Sequence, residues 1–510
     1  MSKIRQNSCF FRVLAKNKDF FCIFAVSYNK KSMEKTTTIV GREKEIAEFE
    51  KYVKSGKPEF IAVYGRRRVG KTFLINQIFH GKMAFSMTGV LEGDFNEQVD
   101  AFLDAMDLYG LEVKEQPTTW MRAFTLLRKA LQPKVETSED CIIFLDEIPS
   151  LDTHGSGFAK ALGHFWNSWA SLYNNMKLIV CGSATTWMIK NIIDSHGGLH
   201  DRITHEMKLL PFTLKETEQY LINNGFHWSR LSIVQSYMMF GGVAYYLSLM
   251  DSSLSLTQNI DNLYFDTNGP LRREYKRLFK TLFRSPEPYT EIVELLARHK
   301  KGLTRAELIQ KLNKDSGGNL SELLDNLLEC GLVRKYKVRE KKVVKSKGSI
   351  YQLVDMFSLF HIHFADKSGS DSHYWANHLG TSETNTWLGL AYERVCLLHV
   401  GQIKETLHID TIASVQYSWR SKESTPAAQI DLIIDRADDV VNVCEIKYSG
   451  KEYSLSDEES KKMAYRLETF RRETGTRQSL YLTLITAAPL AENACSDDIP
   501  VKLDMNTLFR

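Results

Sequence analysis

The sequence is short of paired cysteines, of net charge and of long apolar runs, and each shortage excludes a class of protein. Its eight cysteines include no C-x-x-C pair, and several lie in apolar, strand-like runs where a buried, reduced thiol is expected. They are Cys9, Cys22, Cys141, Cys181, Cys330, Cys396, Cys444 and Cys495. The formal net charge of +4 excludes a strongly basic chain, so any basic surface must be local. The apolar run at residues 20–26 is too short to span a bilayer, and no other segment approaches the required length. We therefore predict a cytoplasmic protein with no membrane partner.

The chain of 510 residues exceeds what one hydrophobic core supports, which predicts about three domains. Its composition, 43% hydrophobic and 25% charged, is typical of soluble globular proteins. Met33 stands just before the first domain start. Residues 1–33 are therefore predicted to be a disordered extension.

A glycine loop at residues 65–72 is the most informative motif. It matches G-x-x-x-x-G-K-[ST] at every fixed position and follows an apolar run at residues 60–64. A strand, a loop and a helix in this order turn successive backbone N–H groups toward phosphate oxygens. Lys71 would reach the β- and γ-phosphates, and the Thr72 hydroxyl would coordinate Mg²⁺. The loop residues predicted to bind ATP are Gly65, Arg66, Arg67, Arg68, Val69, Gly70, Lys71 and Thr72.

Two adjacent acids, Asp146 and Glu147, end the next strongly apolar run. In a P-loop NTPase, such an Asp holds the Mg²⁺ shell and the following Glu polarises the attacking water. A helix N-cap is the structural alternative, but the glycine loop upstream favours catalysis. Ser183 and Thr185 follow a further apolar run and fit a nucleotide sensor and a helix cap equally well. Arg202 is predicted to be an arginine finger, acting in cis or in trans.

These segments resemble the archaeal-type ATPases of the AAA+/STAND group. Besides the loop and the two acids, the resemblance rests on residues 40–43, 182–183, 210–212 and 240–247. The last of these is similar to the family's Gly-Gly-x-Pro-x-Tyr-Leu element, with Ala244 in place of the proline. The resemblance implies a P-loop ATPase core at residues 34–205, with a parallel sheet. It also implies a helical lid subdomain and linker at residues 206–285.

Residues 286–355 are predicted to form a winged helix, from three amphipathic helices followed by a β-hairpin. The third helix, at residues 320–330, is acidic, which disfavours its entry into a DNA groove. The hairpin is strongly basic, with Glu340 opposing a run of cations. These cations are Arg334, Lys335, Lys337, Arg339, Lys341, Lys342, Lys345 and Lys347. Binding to a DNA backbone and a solvated edge hairpin explain this run about equally well.

A second hairpin near the C-terminus carries Asp431 on its first strand and Glu445 and Lys447 on its second. Glu445 and Lys447 project from the same face, and pairing across the hairpin can bring Asp431 beside them. Two carboxylates would hold one Mg²⁺, while Lys447 orients or activates a water for phosphodiester attack. An exposed hairpin with alternating charge imitates this pattern, but the apolar residues on both faces favour a functional group.

The Asp…Glu-x-Lys spacing resembles the PD-(D/E)xK nuclease fold, although Ile430 precedes the aspartate where the motif has proline. Gly389 and Glu393 resemble the Gly-x-x-x-Glu element of such nucleases, which implies that Glu393 is a further metal ligand. The resemblance implies a mixed α/β, restriction-endonuclease-like domain at residues 356–510. The predicted fold is therefore an α/β multidomain chain.

Two functional hypotheses follow, both with ATP and Mg²⁺ as cofactors. In the first, an ATPase couples its nucleotide cycle to an Mg-dependent, nuclease-like domain that acts on DNA. In the second, the chain is a STAND-type regulatory switch whose C-terminal domain binds a partner without cleavage. A transcription-linked regulator that works through the winged helix is a third interpretation. A nucleotide-dependent homo-oligomer is compatible with these hypotheses.

Overall fold

The computed structural model describes residues 39–510 apart from 195–198, 200, 284, 314–317, 341–342, 366, 368, 370 and 422–424. For residues 318, 338–340, 343–347 it describes the backbone alone. The predicted extension at residues 1–33 lies outside the described residues. Residues 39–510 form one compact unit.

The first sheet has five parallel strands in the order β2-β3-β4-β1-β5. Their bounds are β1 (Glu59–Tyr64), β2 (Met83–Thr88), β3 (Cys141–Asp146), β4 (Met176–Gly182) and β5 (His205–Lys208). Every residue of β1, β3 and β4 is buried, as expected for central parallel strands that are covered on both faces. Because β5 pairs with β1, the sheet extends past the boundary predicted at residue 205.

Helices cover both faces of this sheet. Ile61 and Val63 pack into one apolar cluster, and Phe60 and Ala62 pack into another. The helices are α1 (Glu43–Val53), α2 (Lys71–Ile78), α3 (Phe95–Leu108), α4 (Trp120–Val135), α5 (Ile148–Leu151), α6 (Phe158–Ser168) and α7 (Thr185–Met188). A 3₁₀ turn (Ala170–Leu172) and a π-helical turn (Ile189–Ile193) complete this part.

A helical segment follows β5, where the lid was expected. It comprises α8 (Leu214–Asn223), α9 (Arg230–Phe240), α10 (Ala244–Ser248), α11 (Leu256–Ile260), a π-helical turn (Asp261–Phe265) and α12 (Glu274–Leu282). The backbone N–H of Phe212 donates to the Gly242 carbonyl at 2.7 Å. A Cβ on Gly242 would lie 1.9 Å from the Phe212 carbonyl oxygen, so this close approach of two backbones requires glycine.

Three helices and a hairpin follow in the order expected for residues 286–355. Their bounds are α13 (Glu287–Arg298), β6 (Leu303–Thr304), α14 (Arg305–Leu312), α15 (Gly318–Glu329), β7 (Val333–Glu340) and β8 (Val343–Leu353). Thr304 caps α14, and Glu307 completes a reciprocal capping box.

The remaining chain adds helices α16 (Met356–Phe364), α17 (Tyr374–His378), α18 (Ser382–Leu398), α19 (Val400–Thr406), α20 (Asp457–Thr474), α21 (Ala494–Asp497) and a closing 3₁₀ turn (Met505–Phe509). Its strands are β9 (Ser414–Arg420), β10 (Gln429–Arg436), β11 (Val440–Lys447), β12 (Ser479–Thr486) and β13 (Val501–Asp504). β9, β10 and β11 are antiparallel, whereas β11, β12 and β13 are parallel.

The hairpin and the C-terminal strands share one eight-stranded sheet, in the order β13-β12-β11-β10-β9-β7-β8-β6. Lys337 and Val338 of β7 lie opposite Tyr417 and Ser418 of β9. The boundary predicted at residue 355 therefore does not interrupt the sheet. The pairing occupies backbone groups that would otherwise form an open strand edge.

Two helices flank the C-terminal part of this sheet. Ala391 of α18 belongs to the apolar cluster that contains Leu432 and Cys444. Phe470 of α20 packs in a different cluster with Trp419 and Val443. Across the described ranges, no helix combines the length and the apolar character needed to cross a membrane.

Candidate nucleotide site and C-terminal carboxylate site

The glycine loop joins the end of β1 to the start of α2, as the motif predicted. Lys71 is the first residue of α2 and is only 6% exposed. Its ammonium donates to the carbonyls of Gly65 and Arg66, each at 3.0 Å. The loop thus holds its own lysine at its centre, where a phosphate group can exchange for these carbonyls.

Both loop glycines have backbone conformations that a side chain would strain. Gly65 has φ +142°, and a Cβ there would lie 2.3 Å from the Leu209 carbonyl oxygen. Gly70, directly before α2, has φ 94°. The motif therefore needs glycine at these positions to form the loop at all.

The two acids after β3 lie beside the loop. The Thr72 hydroxyl donates to Asp146 Oδ2 at 2.7 Å, which places the two predicted Mg²⁺ ligands together. Glu147 adopts the left-handed region, with φ 47°, directly after the strand. The Ser183 hydroxyl contacts Glu147 Oε1 at 2.7 Å and Oε2 at 2.9 Å. Burial raises the pKa of Glu147, although Ser183 and Lys71 oppose the rise. Ser183, from the end of β4, thus positions the carboxylate expected to act on water.

The side chains of Arg66 and Arg68 leave the loop and contact distant segments. Arg66 forms a buried ion pair with Asp355, which caps α16 by accepting from the Ser358 N–H at 2.9 Å. Burial lowers the pKa of Arg66, but Asp355 and Tyr246 together outweigh burial and raise it overall. Arg68 pairs with Glu274 of α12. Neither ion pair was predicted from the sequence, because no local pattern links the loop to residues so far along the chain.

The segment of residues 240–247, which contains two consecutive glycines, makes a further contact to Arg68. The Tyr245 N–H donates to the Arg68 carbonyl at 3.2 Å. The Arg68 guanidinium carbon lies 4.2 Å from the centre of the Tyr245 ring. The helical segment from α8 to α12 therefore packs directly against the glycine loop.

Arg67 and Arg202 have different environments. Burial lowers the pKa of Arg67, with Arg68 adding to the fall and Glu147 opposing it. Arg67 thus lies within electrostatic reach of Glu147. Arg202 is exposed on the turn before β5. Its role as an arginine finger stays a prediction.

The donor atoms present fit ATP and Mg²⁺. Loop N–H groups, the Lys71 ammonium and the start of α2 suit phosphate oxygens. The Thr72 hydroxyl and the Asp146 carboxylate are the hard oxygen ligands that Mg²⁺ prefers.

The C-terminal charged residues lie on adjacent strands. The β10–β11 register pairs Leu432 with Cys444. In this antiparallel register, Asp431 and Glu445 lie at the next pair of opposed positions. The Lys447 ammonium lies 3.0 Å from Glu445 Oε1. Arg466 of α20 donates to both oxygens of Glu445, at 2.6 and 2.5 Å. Two cations therefore hold the Glu445 carboxylate.

Glu393 lies on α18, within electrostatic reach of Asp431. Burial raises the pKa of Glu393 to about 7; Asp431 adds to the rise, and Arg394 opposes it. Arg394, 1% exposed, pairs with Glu393 and also donates to the Lys300 carbonyl. Within the part of the chain that the structure describes, no three His, Cys, Asp or Glu side chains form a group able to hold a metal ion. Asp431 and Glu445 still offer two carboxylates, a number that suffices for Mg²⁺ with water as the other ligands.

The acidic helix α15 faces the ATPase part of the molecule. Its Glu322 contacts Lys190 at 2.5 Å, and its Glu329 contacts Lys208 at 2.8 Å. These pairs account for acidic residues that suit a DNA groove poorly. In the basic hairpin, Lys335 and Lys337 are exposed, whereas Arg334 donates to Gln352 at 2.8 Å. The side chains of Arg339, Lys341, Lys342, Lys345 and Lys347 lie outside the described ones.

Comparison with known proteins finds an ATPase domain in the part of the chain that contains the glycine loop. Residues 39–250 match the family model of an ATPase domain that occurs predominantly in Archaea. An uncharacterized protein of Methanocaldococcus jannaschii is 26% identical over 366 residues, which cover 70% of this chain and 76% of that protein.

Solved structures show more distant likenesses. The Walker-type ATPase of Pyrococcus abyssi is 18% identical with a TM-score of 0.43, over 64% of this chain and 96% of its own. The ORC2 protein of Aeropyrum pernix is 13% identical with a TM-score of 0.41, over 64% of this chain and 93% of its own. The family match and the glycine-loop motif lead to the same conclusion: residues 39–250 are an ATPase domain of the archaeal type.

Proposed function

We propose that this chain binds and hydrolyses ATP with Mg²⁺, and couples that cycle to a nuclease-like domain that acts on DNA. The observation that carries the proposal is the buried ion pair between Arg66 and Asp355. It links the glycine loop to the first turn of α16, directly after the β7–β8 hairpin. Any shift of the loop around a bound phosphate therefore acts on the segment that leads to the C-terminal carboxylates.

The nucleotide half rests on four side chains. Lys71 would bind the β- and γ-phosphates, Thr72 and Asp146 would hold Mg²⁺, and Glu147, held by Ser183, would orient and polarise water. Bound Mg²⁺ neutralises charge on the phosphate oxygens. Arg202 would supply a finger within or between subunits, and a nucleotide-dependent homo-oligomer belongs to this proposal.

The nuclease half rests on the register of β10 and β11. Asp431 and Glu445 would hold Mg²⁺, and Lys447 would orient a water; Glu393, the further ligand expected from the sequence, does not join them in a three-acid group. We place this domain at residues 356–510, after a winged helix at residues 286–355. The cysteines among the described residues are all free thiols, which supports a cytoplasmic location.

Two measurements on the purified full chain test this function. The first is ATP hydrolysis with Mg²⁺, and the second is nicking of plasmid DNA with Mg²⁺ or Mn²⁺. Glu445→Gln should abolish nicking and leave ATP hydrolysis intact, while Glu147→Gln should abolish hydrolysis. Absence of nicking with every metal and nucleotide would refute the nuclease half alone.

The STAND-type switch remains the second candidate, because Glu445 is already held by Arg466 and Lys447. A carboxylate in two ion pairs is also what a purely structural charged cluster would show. ATP-dependent oligomers without DNA cleavage would favour this function.

A further inference from the structure

A basic pocket lies where helices α13 and α14 meet the eight-stranded sheet. It has a volume of about 490 Å³ and lies between the turn that joins α13 to β6, helix α14 and the end of β9. Four cations line it, and all four residues are exposed: Lys300, Lys301, Lys311 and Arg420. Residues from two parts of the fold, far apart in sequence, therefore build one positively charged concavity.

Glu307 is the acid among the lining residues, and its charge is already used. Its carboxylate accepts from the Thr304 N–H at 2.7 Å and from the Thr304 hydroxyl at 2.8 Å. Burial raises the pKa of Glu307, but these bonds, with Arg420 and Lys311, lower it overall. A single carboxylate bound in a helix cap leaves four cations with a net positive field, which attracts an anionic ligand.

Two side-chain hydrogen bonds connect Arg420 of the pocket to Asp431. Arg420 lies opposite Gln429 in the β9–β10 register, and its Nε is 3.4 Å from Gln429 Oε1. The Gln429 amide in turn donates to Asp431 Oδ1 at 2.5 Å. One intervening side chain thus separates a pocket cation from the carboxylate that is proposed to act on DNA.

We infer that the basic pocket binds the phosphodiester backbone of DNA and directs it to Asp431 and Glu445. The inference rests on the proposed function for the choice of DNA as the anion. Four cations along one concavity suit a chain of phosphates better than a single small anion, and they read charge rather than sequence. Lys335 and Lys337 of the β7–β8 hairpin are exposed but are not among the residues that line this pocket.

The test measures binding of a short fluorescein-labelled DNA duplex to the full chain by anisotropy, with chelator present so that no cleavage occurs. Lys301→Glu/Lys311→Glu should weaken binding roughly a hundredfold at about 0.1 M salt, for duplexes of unrelated sequence. The slope of log K against log salt should fall by about two. Lys44→Glu/Lys51→Glu on α1 makes the same charge change at exposed positions and should leave the slope unchanged.

Arg420→Gln is a milder second variant, and melting temperatures check that each variant folds. An unchanged affinity in both pocket variants overturns the inference, as does an equal loss in the α1 control. A loss confined to Lys335→Glu/Lys337→Glu also overturns it, because the hairpin would then be the binding surface. Binding that depends on the pocket in a chain that nicks no DNA would keep the inference and refute the nuclease.

Discussion

Arg66 and Arg68 belong to the glycine loop in sequence, yet their side chains form ion pairs with other segments of the molecule. The backbone of residues 65–72 forms the phosphate-binding turn, whereas the two guanidinium groups reach Asp355 and Glu274. The motif predicts the first role, because local backbone geometry depends on nearby residues. It cannot predict the second, since each partner lies more than two hundred residues away along the chain and only the packed fold selects it.

Removing one partner of the Arg66–Asp355 pair should destabilise the protein strongly. Asp355→Ala leaves a buried guanidinium without its counter-charge, at a cost of about 3–5 kcal/mol in the free energy of unfolding. Arg66→Met/Asp355→Leu removes both charges and should cost much less. Denaturant unfolding of the three proteins measures this. Equal destabilisation by the single and double variants would contradict the account.

Replacing the loop lysine should abolish most nucleotide affinity. Lys71→Met removes a charge-assisted contact worth about 1.5–3 kcal/mol, which is roughly a 10- to 150-fold loss in ATP affinity. Titration with a fluorescent ATP analogue measures this, and the exposed Lys82→Met on the following turn is the matched control. ATP binding by the Lys71 variant at wild-type affinity would refute the nucleotide site.

At the scale of elements, strands and helices could be placed from the sequence far better than their partners. The apolar runs that end at Tyr64 and Asp146 correctly predicted buried strands, since periodicity reports local burial. The pairing of β7 with β9 could not be predicted, because neither strand carries a signal for its neighbour. For the same reason, the sequence alone does not explain the acidity of α15, whose acidic side chains pair with Lys190 and Lys208 in the structure.

The junction of α18 with α8 contains a histidine that should make stability depend on pH. His399 accepts from the Leu214 N–H at 3.0 Å and contacts the Val395 carbonyl at 2.8 Å through Nδ1. Burial lowers its pKa to about 4, although Val395 and Glu216 oppose the fall. The neutral form is therefore favoured in the folded state.

Acidification should weaken this junction in a defined window. The contribution of His399 is complete above about pH 6.5, its ordinary pKa. As the pH falls from about 6.5 to about 4, the folded state loses up to about 3 kcal/mol of this stabilisation, because the unfolded chain binds the proton first. The difference in melting temperature between the wild type and His399→Gln should therefore shrink as the pH is lowered from the first of these values to the second. A difference that stays constant would show that His399 has the same pKa in the folded and in the unfolded chain.

At the scale of the whole molecule, the two predicted sites are joined more closely than separate domains would be. The glycine loop contacts α16 through Asp355, and the eight-stranded sheet runs from the β7–β8 hairpin to the C-terminal carboxylates. The sequence predicted two chemical centres on separate modules, because motifs mark modules one at a time. The eight-stranded sheet is instead continuous across the boundary predicted at residue 355, and the proposed coupling would act through it.

The most direct test of this account is the rate of plasmid cleavage with Mg²⁺, measured without nucleotide, with ADP and with ATP, for the wild type and Lys71→Met. If ATP is coupled to the C-terminal site, the rate changes with nucleotide in the wild type and stays the same in all three conditions in Lys71→Met. A wild-type rate that is identical in all three conditions, or no cleavage in any of them, would contradict the coupling of ATP to the C-terminal site.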